Sequence, residues 1–575
     1  MNKTNQNPLS EQLPDYFQPD RQSEQALHII PLGGVSEFGQ NMMAYRYDDE
    51  IIIVDCGGMF PDASLMGVDF IIPDMEFLKQ YKHMVKALVL THGHEDHIGA
   101  TPFFLRDFPV DVYGTPFTLK LVDSKLKEHE LPNISEKLHE INAGDTIHFK
   151  NFNISFLHVN HSICQSVSLA IETPEGMVVH TGDFRIDSNP VNGKMFDYAG
   201  FSKLGDNGVL ALLSDSTNVE SPGFTRSETE VTDELEEILS QTKERIFISL
   251  FSSSIPRINE TLKLAAKYNR KVHIAGRSLE RSTGIAREMG LLQAEDSLFV
   301  DCKQVDALPS DEVLVILTGS QGEPRSVLSR IAMNNHKDIH LHENDVVILS
   351  VRIIPGHERS VSNIVNHLSM HGAKVYYERN STIHTSGHGY AGELATMINL
   401  CRPEYFIPIH GDFHMLKSHG ELAVKCGVDP DNVLLSQNGD IIQFDDNGCC
   451  PVGRVITGRI FVDGNGVGEV GPDTIRERRK IGMTGVVVAI LIIRQSNGKV
   501  LFGPELISKG FIFEDDANDT LKEGKKKVLN SLASMNLETQ ADLDEVKEEM
   551  RIVLRRHFNK TLERKPVVIP IVMAM

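Results

Sequence analysis

A dense group of potential metal ligands lies at residues 92–97. The run HGHEDH holds three histidines and two carboxylates within six residues, directly after the apolar stretch VKALVLT. Alternate residues of an extended loop face the same side, so His92 and His94 would point one way, while Asp96 and His97 would turn back at the start of a helix. Two pairs of ligands would thus face two neighbouring ions. Nitrogen and carboxylate ligands without cysteine favour Zn²⁺ or Mn²⁺ in a catalytic site over a closed structural site.

Three further residues would complete two such sites. His161, Asp183 and His410 each close an apolar, strand-like run, and ligands from distant parts of a chain converge in loops at strand ends. Taken singly, each is more often an ordinary polar residue at a strand terminus. Two simpler interpretations of the HGHEDH run stay open. The run could bind a metal ion that only stabilises the loop, or its histidines could be surface residues whose hydrogen bonds are satisfied without a metal.

The elements that must position these ligands are mainly strands. Between His28 and about Asp55, short β-branched runs alternate with glycine-rich turns, which predicts strands. The run VKALVL predicts a buried strand that leads into the ligand loop, and further strands are expected at 154–159 and 177–180. Each of these predicted strands therefore ends next to a candidate site residue.

Residues 223 to about 365 have a different pattern. Helical stretches at 230–239, 258–268 and 326–333 alternate with the apolar runs RIFISLF, KVHIAG, VLVILTGS and DVVILS. This alternation is typical of βαβ units and predicts a parallel, doubly wound sheet.

The end of the chain mixes strand and helix. The turn-rich run GNGVGEVGP, after about Asp446, indicates a linker or the entry to a small domain. Apolar residues spaced by three or four positions predict an amphipathic helix at 542–558, and PVVIPIVMAM predicts a final strand.

Composition indicates a globular protein of several domains. A length of 575 residues predicts about three or four domains, and 41% hydrophobic with 24% charged residues excludes disorder as the dominant state. The net charge of −22 argues against a protein that coats nucleic acid through its overall charge. Seven scattered cysteines exclude a disulfide framework. The polar first residues and the absence of an apolar run of about 20 residues favour a cytoplasmic protein.

Several motifs together resemble a known family. THGHEDHIGA is similar to the signature of the metallo-β-lactamase superfamily, and the order Asp55, HGHEDH, His161, Asp183 resembles its first four motifs. The predicted parallel unit separates Asp183 from His410, and this insertion looks like the β-CASP domain of nucleic-acid-processing members.

The remaining motifs resemble those of one particular family within this superfamily. Asp215 in LLSDSTNVESPGFTRSE, His388 in HTSGHGY and His410 match the β-CASP motifs. VDGNGVGEVG, GPELISKGF and ERKPVVIPIV are similar to the C-terminal region of the bacterial ribonuclease J family. The resemblance covers about residues 28–575.

The resemblance implies an α/β fold. We expect a metallo-β-lactamase αββα sandwich with an inserted β-CASP parallel α/β domain and a small α+β C-terminal domain. The expected boundaries are a flexible polar arm at 1–25, the first part of the metallo-β-lactamase domain at 26–222, the β-CASP domain at 223–365, the second part of the metallo-β-lactamase domain at 366–455, a linker at 456–470 and the C-terminal domain at 471–575.

The resemblance also implies two divalent ions per chain, zinc or manganese. The ligands of one ion would be His92, His94, His161 and Asp183. The ligands of the other would be Asp96, His97, Asp183 and His410. The Asp183 carboxylate would bridge the ions, and Asp55 would orient a ligand imidazole through its free N–H.

The implied reaction is hydrolysis of RNA phosphodiester bonds in RNA processing and decay. The family prefers 5′-monophosphorylated RNA, which it degrades 5′→3′, and it also cuts internally. His388 would act as the general acid with Asp215 as its orienter, and Asp96 would also be part of the catalytic set. The HTSGHG run would bind a substrate phosphate through His384, Ser386, Gly387 and His388.

The chain departs from the family pattern at three places without losing a proposed ligand. Ile163-Cys164-Gln165-Ser166 stands where Pro-Asp commonly precedes the serine, Pro256 replaces a usual His or Tyr, and His357 replaces a usual Asn. Alternatives to a ribonuclease are a small-molecule metallohydrolase for thioesters or lactams, a non-catalytic scaffold subunit, and a DNA-preferring nuclease of the same fold.

Expected partners follow from the same resemblance. They are an RNA substrate, a second copy of the chain in a homodimer or homotetramer formed through the C-terminal domain, and RNA-decay partners such as a helicase or the ribosome, with no membrane. Because the protein is acidic overall, we also expect a basic channel for RNA between the lactamase-like and β-CASP parts.

Overall fold

The computed structural model describes residues 18, 21–62, 64–323, 325–354, 357–464, 466–494, 499–512, 517–535 and 543–575. Most of the predicted polar arm at 1–25 lies outside these residues. The chain divides into two compact units, Met1–Met59 with Ile72–Arg459 and Phe60–Ile71 with Ile460–Met575. In the described parts of the chain, no helix has both the length and the apolar character needed to cross a membrane.

Two large sheets form a sandwich in the first unit. The eight-stranded sheet has the order Gly448–Arg454, Asp440–Asp445, Leu27–Gly33, Met42–Tyr47, Glu50–Val54, Val85–Val89, Asp111–Gly114, Leu138–Glu140. The six-stranded sheet has the order Pro403–Ile409, Val209–Asp215, Gly176–His180, Val167–Thr173, Asn153–His158, Thr146–His148. Side chains alternate between the faces of a strand, and the facing rows meet in one apolar core that includes Val54, Val89, Phe156 and Leu213.

Helices complete the sandwich. They are Glu76–Gln80, Glu95–Ile98, Thr101–Asp107, Pro116–Glu128, Tyr198–Asn207, Ala391–Cys401 and Phe413–Lys425. A second apolar cluster joins the outer face of the six-stranded sheet to the last three of these helices, through residues such as Phe201, Met397 and Ala423. A small two-stranded pair, Val35–Ser36 with Gly411–Asp412, lies beside His410. These layers confirm the expected αββα sandwich.

A parallel five-stranded sheet is inserted between Asp215 and His410. Its strand order is Lys271–Ala275, Val313–Leu317, Ile246–Ser249, Val346–Leu349, Lys374–Tyr376. Its helices are Glu228–Gln241, Ile255–Lys267, Arg277–Glu288, Cys302–Val305, Val327–Ala332 and Glu358–Met370. Apolar clusters cover both faces of the sheet, which confirms the predicted doubly wound unit.

The second unit has its own core. Its sheet has the order Val500–Lys509, Val486–Ile493, Val567–Ala574, and its helices are Pro472–Thr484, Ala517–Ala533 and Leu543–Leu562. The last helix confirms the predicted amphipathic segment, because Val546, Met550 and Leu554 are fully buried against the sheet. The first residue of the predicted range, 542, lies outside the described residues.

The observed elements differ from the expected boundaries at two places. The three-residue strand Lys374–Tyr376 belongs to the inserted sheet, although it follows residue 365. The segment expected as a linker contains the strands Arg459–Asp463 and Gly466–Val467, which form a small sheet with Phe70–Pro73. Strands this short carry too few residues for an alternating pattern to be recognised in the sequence.

Candidate metal centre

The candidate ligands lie where strands of the sandwich end. HGHEDH follows a strand of the eight-stranded sheet, and the helix Glu95–Ile98 begins within it, with His94 as the N-terminal cap. His161, Asp183 and His410 each follow a strand of the six-stranded sheet. His410 has a φ of 57°, a left-handed backbone conformation that few non-glycine residues adopt. Such conformations are concentrated at functional sites.

One group of ligands contains three imidazoles and a carboxylate oxygen. Nδ1 of His94 lies 3.1 Å from Nε2 of His92 and 3.0 Å from Nε2 of His161. Oδ2 of Asp183 lies 3.5 Å from Nε2 of His92 and 3.6 Å from Nε2 of His161. Burial lowers the pKa of His92 and His161 well below the ordinary value and that of His94 to about 4. The three rings are therefore neutral, which is the form that binds a metal.

A second group lies on the other side of Asp183. Oδ1 of Asp183 is 3.2 Å from Nε2 of His97 and 3.5 Å from Nε2 of His410. Oδ2 of Asp96 is 3.7 Å and 3.3 Å from the same two nitrogens. Burial opposes protonation of both rings, but the carboxylates, led by Asp183, raise the pKa of His97 well above its ordinary value and that of His410 to about 9. This group therefore attracts positive charge.

The donor set fits two divalent cations. Asp183 is buried, with 2% of its surface exposed, and its Oδ1 has no hydrogen-bond partner in the described part of the chain. A buried carboxylate is costly unless positive charge neutralises it, and a cation bound at these groups would do so. Its two oxygens face the two groups separately, which is the arrangement of a bridging ligand. Together, the two groups bring together all seven residues that the sequence predicted as ligands.

Every ligand imidazole has a partner on its second ring nitrogen. Such partners fix the orientation and proton position of metal-bound histidines. They are Oγ1 of Thr91 for His92 (3.0 Å), Oγ of Ser253 for His94 (3.1 Å), Oδ2 of Asp55 for His97 (2.7 Å), the carbonyl of Gly387 for His161 (2.7 Å) and Oγ1 of Thr217 for His410 (2.7 Å). Asp55 is itself held by Thr91, whose N–H and Oγ1–H both donate to it at 2.8 Å.

His388 and Asp215 form a pair at the edge of the two groups. Nδ1 of His388 lies 2.8 Å from Oδ2 of Asp215, and Nε2 of His388 lies 3.9 Å from Oδ2 of Asp183. The side chain of Asp215 is 1% exposed, and its other oxygen accepts from the N–H and Oγ1–H of Thr217 at 3.0 Å and 2.7 Å. Burial opposes protonation of His388, but the carboxylates of Asp215 and Asp183 raise its pKa. The pair can hold a proton beside the ligands.

The HTSGHG loop presents hydrogen-bond donors next to this pair. Oγ of Ser386 accepts from the amide of Asn218 at 2.8 Å and from the N–H of His388 at 3.1 Å, so its own hydroxyl hydrogen remains to be donated. A Cβ on Gly387 would lie 2.8 Å from Cε1 of His161. Only glycine therefore fits between the loop and this ligand.

An exposed cation lies at the rim of the loop. The guanidinium of Arg352 donates to the Asn218 amide oxygen, and the same Asn218 amide also donates to the carbonyl of His388 at 2.9 Å. Within the described ranges, Arg352 forms no ion pair with a carboxylate. Its charge is therefore available to an anion that approaches the loop.

His384, predicted as a phosphate contact, has a different main partner. Its Nδ1 accepts from Arg257 at 2.9 Å, and Arg257 also binds both carboxylate oxygens of Glu228, at 2.5 Å and 3.0 Å. Burial, with Arg257 and Arg352 nearby, lowers the pKa of His384 well below its ordinary value. This buried network joins the inserted unit to the HTSGHG loop.

Two of the three departures from the family pattern lie together beside the centre, while the third, His357, precedes the helix Glu358–Met370. Cys164, Gln165 and Pro256 line one cavity together with His161. Gln165 accepts from the N–H of Phe117 at 2.8 Å. These two changes thus alter one wall next to a candidate ligand, and all three leave the ligand set intact.

Sequence reasoning missed five polar residues of the site, of which Thr91 directly precedes the HGHEDH run. Thr217 and Asn218 follow the predicted Asp215 directly, so their position was the available signal. Ser253 and Arg352 follow two strands of the inserted sheet, and ligands usually bind at that edge of a parallel sheet. Their position at that edge of the sheet was the only indication in the sequence that Ser253 and Arg352 belong to the site.

Family profiles match four segments of the chain. They are the metallo-β-lactamase superfamily at residues 35–248, "Ribonuclease J, beta-CASP domain" at 243–368, "Zn-dependent metallo-hydrolase RNA specificity domain" at 372–433 and "Ribonuclease J C-terminal domain" at 473–575. The matches follow the order of the sandwich, the inserted sheet and the second unit.

Individual relatives match over nearly the whole length. The chain is 36% identical to ribonuclease J 1 of Streptococcus pyogenes over 95% of this chain and 97% of the relative, and 35% identical to ribonuclease J2 of Bacillus subtilis over 96% and 99%. It is 36% identical to ribonuclease J of Corynebacterium glutamicum over 99% of this chain and 78% of the relative. A crystal structure of a protein of unknown function from Enterococcus faecalis shares the fold, with a TM-score of 0.51 and 16% identity over 73% of this chain and all of that one.

Proposed function

The chain belongs to the ribonuclease J family, and from this premise we propose that it is a metal-dependent ribonuclease that degrades RNA 5′→3′, prefers a 5′-monophosphate and also cuts internally. The observation that carries the proposal is the pair of ligand groups that share Asp183, with the His388–Asp215 pair and the HTSGHG loop beside them. Processing and decay of RNA are the corresponding cellular roles.

The two ligand groups would hold two divalent ions, zinc or manganese. His92, His94 and His161 would bind one, Asp96, His97 and His410 would bind the other, and Asp183 would bind both. Ions bound there would supply an activated water at neutral pH and would neutralise charge on the phosphodiester oxygens. The neutral state of His92, His94 and His161 supports this assignment.

His388 would protonate the oxygen that leaves phosphorus. Its Nδ1–H is held by Asp215, so Nε2 is the atom that faces the ligand groups and can transfer a proton. Thr217 fixes Asp215 by two hydrogen bonds and also contacts Nδ1 of His410 at 2.7 Å. Thr217 therefore positions both the orienter of the proposed general acid, Asp215, and the proposed metal ligand His410.

The HTSGHG loop would bind the terminal phosphate of the substrate. The hydroxyl of Ser386 and the amide of Gly387 can donate to phosphate oxygens, and Arg352 adds a charge at the rim. A group that recognises a terminal phosphate beside the cleavage centre favours cutting at the 5′ end. RNA that passes without engaging this loop would be cut internally.

The C-terminal sheet would mediate self-association. Its outer face carries Ile507, Ile569, Ile571 and Met573, each 40–46% exposed. Val488 lies between Ile507 and Ile569 in the strand register, so these residues form one apolar surface. Such a surface is typical of an interface, and we propose that it pairs with a second copy of the chain.

One experiment tests the activity. The purified chain is incubated with RNA carrying a 5′-monophosphate, a 5′-triphosphate or a 5′-hydroxyl, and with DNA of the same sequence, in Mn²⁺, Zn²⁺ or a chelator. Labels at the 5′ end and within the chain separate terminal from internal cuts. We expect mononucleotides from the 5′-monophosphate RNA, slower release from the other RNAs, and no cleavage with the chelator.

His94→Ala is the control for a contaminating nuclease. We expect it to remain folded and to lose hydrolysis. Equal cleavage of DNA would identify a general nuclease of this fold, and cleavage that persists in the chelator or in His94→Ala would refute the proposal.

A further inference from the structure

The inserted sheet contributes one residue to the ligand shell of the sandwich. Ser253 lies in the loop that follows the strand Ile246–Ser249, and its Oγ is 3.1 Å from Nε2 of His94. The other ligand imidazoles take their partners from residues that closely follow sandwich strands and from the HTSGHG loop. We propose that Ser253 is a positioning residue through which the inserted unit sets the metal affinity of the centre.

The chemistry of His94 fixes the direction of this hydrogen bond. Nδ1 of His94 faces the nitrogens of His92 and His161, so it must offer a lone pair to an ion. The proton of the neutral ring then resides on Nε2, which donates to Oγ of Ser253. Without that acceptor, the ring loses both its preferred tautomer and its orientation.

The loop that carries Ser253 is held on both sides. Leu250 and Ile255 are 1% and 2% exposed, and the N–H of Ser254 donates to the carbonyl of Phe251 at 3.0 Å. The helix Ile255–Lys267 begins immediately after the loop. Because the loop is anchored in the core of the inserted unit, the hydroxyl has a fixed place relative to that unit.

The adjacent serine offers a matched control. In the described part of the chain, the side chain of Ser252 forms no hydrogen bond, and its burial is similar to that of Ser253. Ser252→Ala therefore removes an equivalent hydroxyl group from the same loop without removing the hydrogen-bond partner of His94.

The test measures metal binding by the full-length chain stripped of metal. Zn²⁺ is titrated against a competing chelator, and thermal unfolding is followed with and without Zn²⁺. We expect Ser253→Ala to weaken binding at the His92–His94–His161 group by about 10- to 100-fold, and Ser252→Ala and Ser253→Thr to bind as wild type does. Without metal, all variants should unfold at the same temperature, and only Ser253→Ala should gain less stability from Zn²⁺.

A cobalt spectrum gives a second readout. Co²⁺ in place of Zn²⁺ reports the ligand geometry directly, so Ser253→Ala should change the absorption of the bound ion while Ser252→Ala should not. Wild-type affinity and spectrum in Ser253→Ala would overturn the inference, as would equal losses in both alanine variants. The inference rests on the proposed metal centre, and a wild-type chain that binds no divalent ion would refute that centre itself.

Discussion

The replacement Asp215→Asn tests the proton-donating role of His388 with little change in shape. The carboxylate lies 2.8 Å from Nδ1 of His388, and its other oxygen accepts two hydrogen bonds from Thr217. In the variant, the amide oxygen would keep the bonds from Thr217, and the amide NH₂ would then face His388. The ring nitrogen would have to accept instead of donate, which disfavours the protonated ring.

The size of the effect follows from the burial of the pair. Asp215 is 1% exposed, and a hydrogen bond between charged groups in such a place is worth about 1.5–3 kcal/mol. At 1.36 kcal/mol per tenfold, kcat should fall by about 10- to 150-fold. His388→Ala removes the general acid entirely and should cost about 10²- to 10⁴-fold. The double variant should be no slower than His388→Ala, because both changes affect one function.

A substrate with a better leaving group separates this role from a structural one. Sulfur in place of the bridging 3′-oxygen leaves phosphorus without needing a proton. Single-turnover cleavage of that substrate should be almost unaffected in Asp215→Asn and His388→Ala, while the ordinary RNA shows the full loss. Equal losses on both substrates would refute the general-acid role, and metal content should stay at the wild-type value throughout.

Three other changes test different parts of the structure. Arg352→Ala should weaken RNA binding and lower the slope of log affinity against log salt by about 0.7, the value for one phosphate contact to a single strand; fluorescence anisotropy across salt concentrations measures this. Gly387→Ala should weaken metal binding by about 10- to 100-fold, because the added Cβ would displace His161, whose Nδ1 donates to the Gly387 carbonyl; metal content after dialysis measures this. Ile571→Asp should convert an oligomer to a monomer at micromolar concentration, because a charge on the apolar sheet face disfavours pairing; light scattering measures this.

Each of these changes has a matched control. Arg352→Lys should retain the salt slope because it retains the charge. Gly284→Ala adds a methyl group on a helix where nothing lies within 4 Å, and it should leave metal binding unchanged. Ile571→Leu should remain associated. An unchanged salt slope in Arg352→Ala, full metal content in Gly387→Ala, or an oligomer in Ile571→Asp would contradict the corresponding assignment.

The sequence was informative where chemistry is concentrated in rare residue types. Histidines and carboxylates at the ends of apolar runs identified the ligand groups, and the βαβ alternation identified the inserted sheet. Hydroxyl partners gave no such signal. Ser253 lies 159 residues from His94 along the chain, and serine is common in loops, so its contact depends on tertiary packing that no local pattern encodes.

The set of chain segments that form the second unit could not be predicted from the sequence either. Phe60–Ile71 clusters with the C-terminal residues although most of the sandwich and the inserted sheet lie between them along the chain. Among the described residues of this segment, the only regular element is part of the short strand Phe70–Pro73. Assigning it requires knowledge of strand pairing, which a single sequence does not provide.

The order of the ligands along the chain has a consequence during translation. His92, His94, His161 and Asp183 emerge early, but the HTSGHG loop and His410 emerge only after the inserted sheet has been synthesised. A nascent chain that ends before His410 lacks a residue of the second candidate group and also the sandwich strands Asp440–Asp445 and Gly448–Arg454. Since domains fold from the N terminus as they appear, we expect a growing polypeptide to stay inert toward the message that encodes it until that residue and those strands have been made.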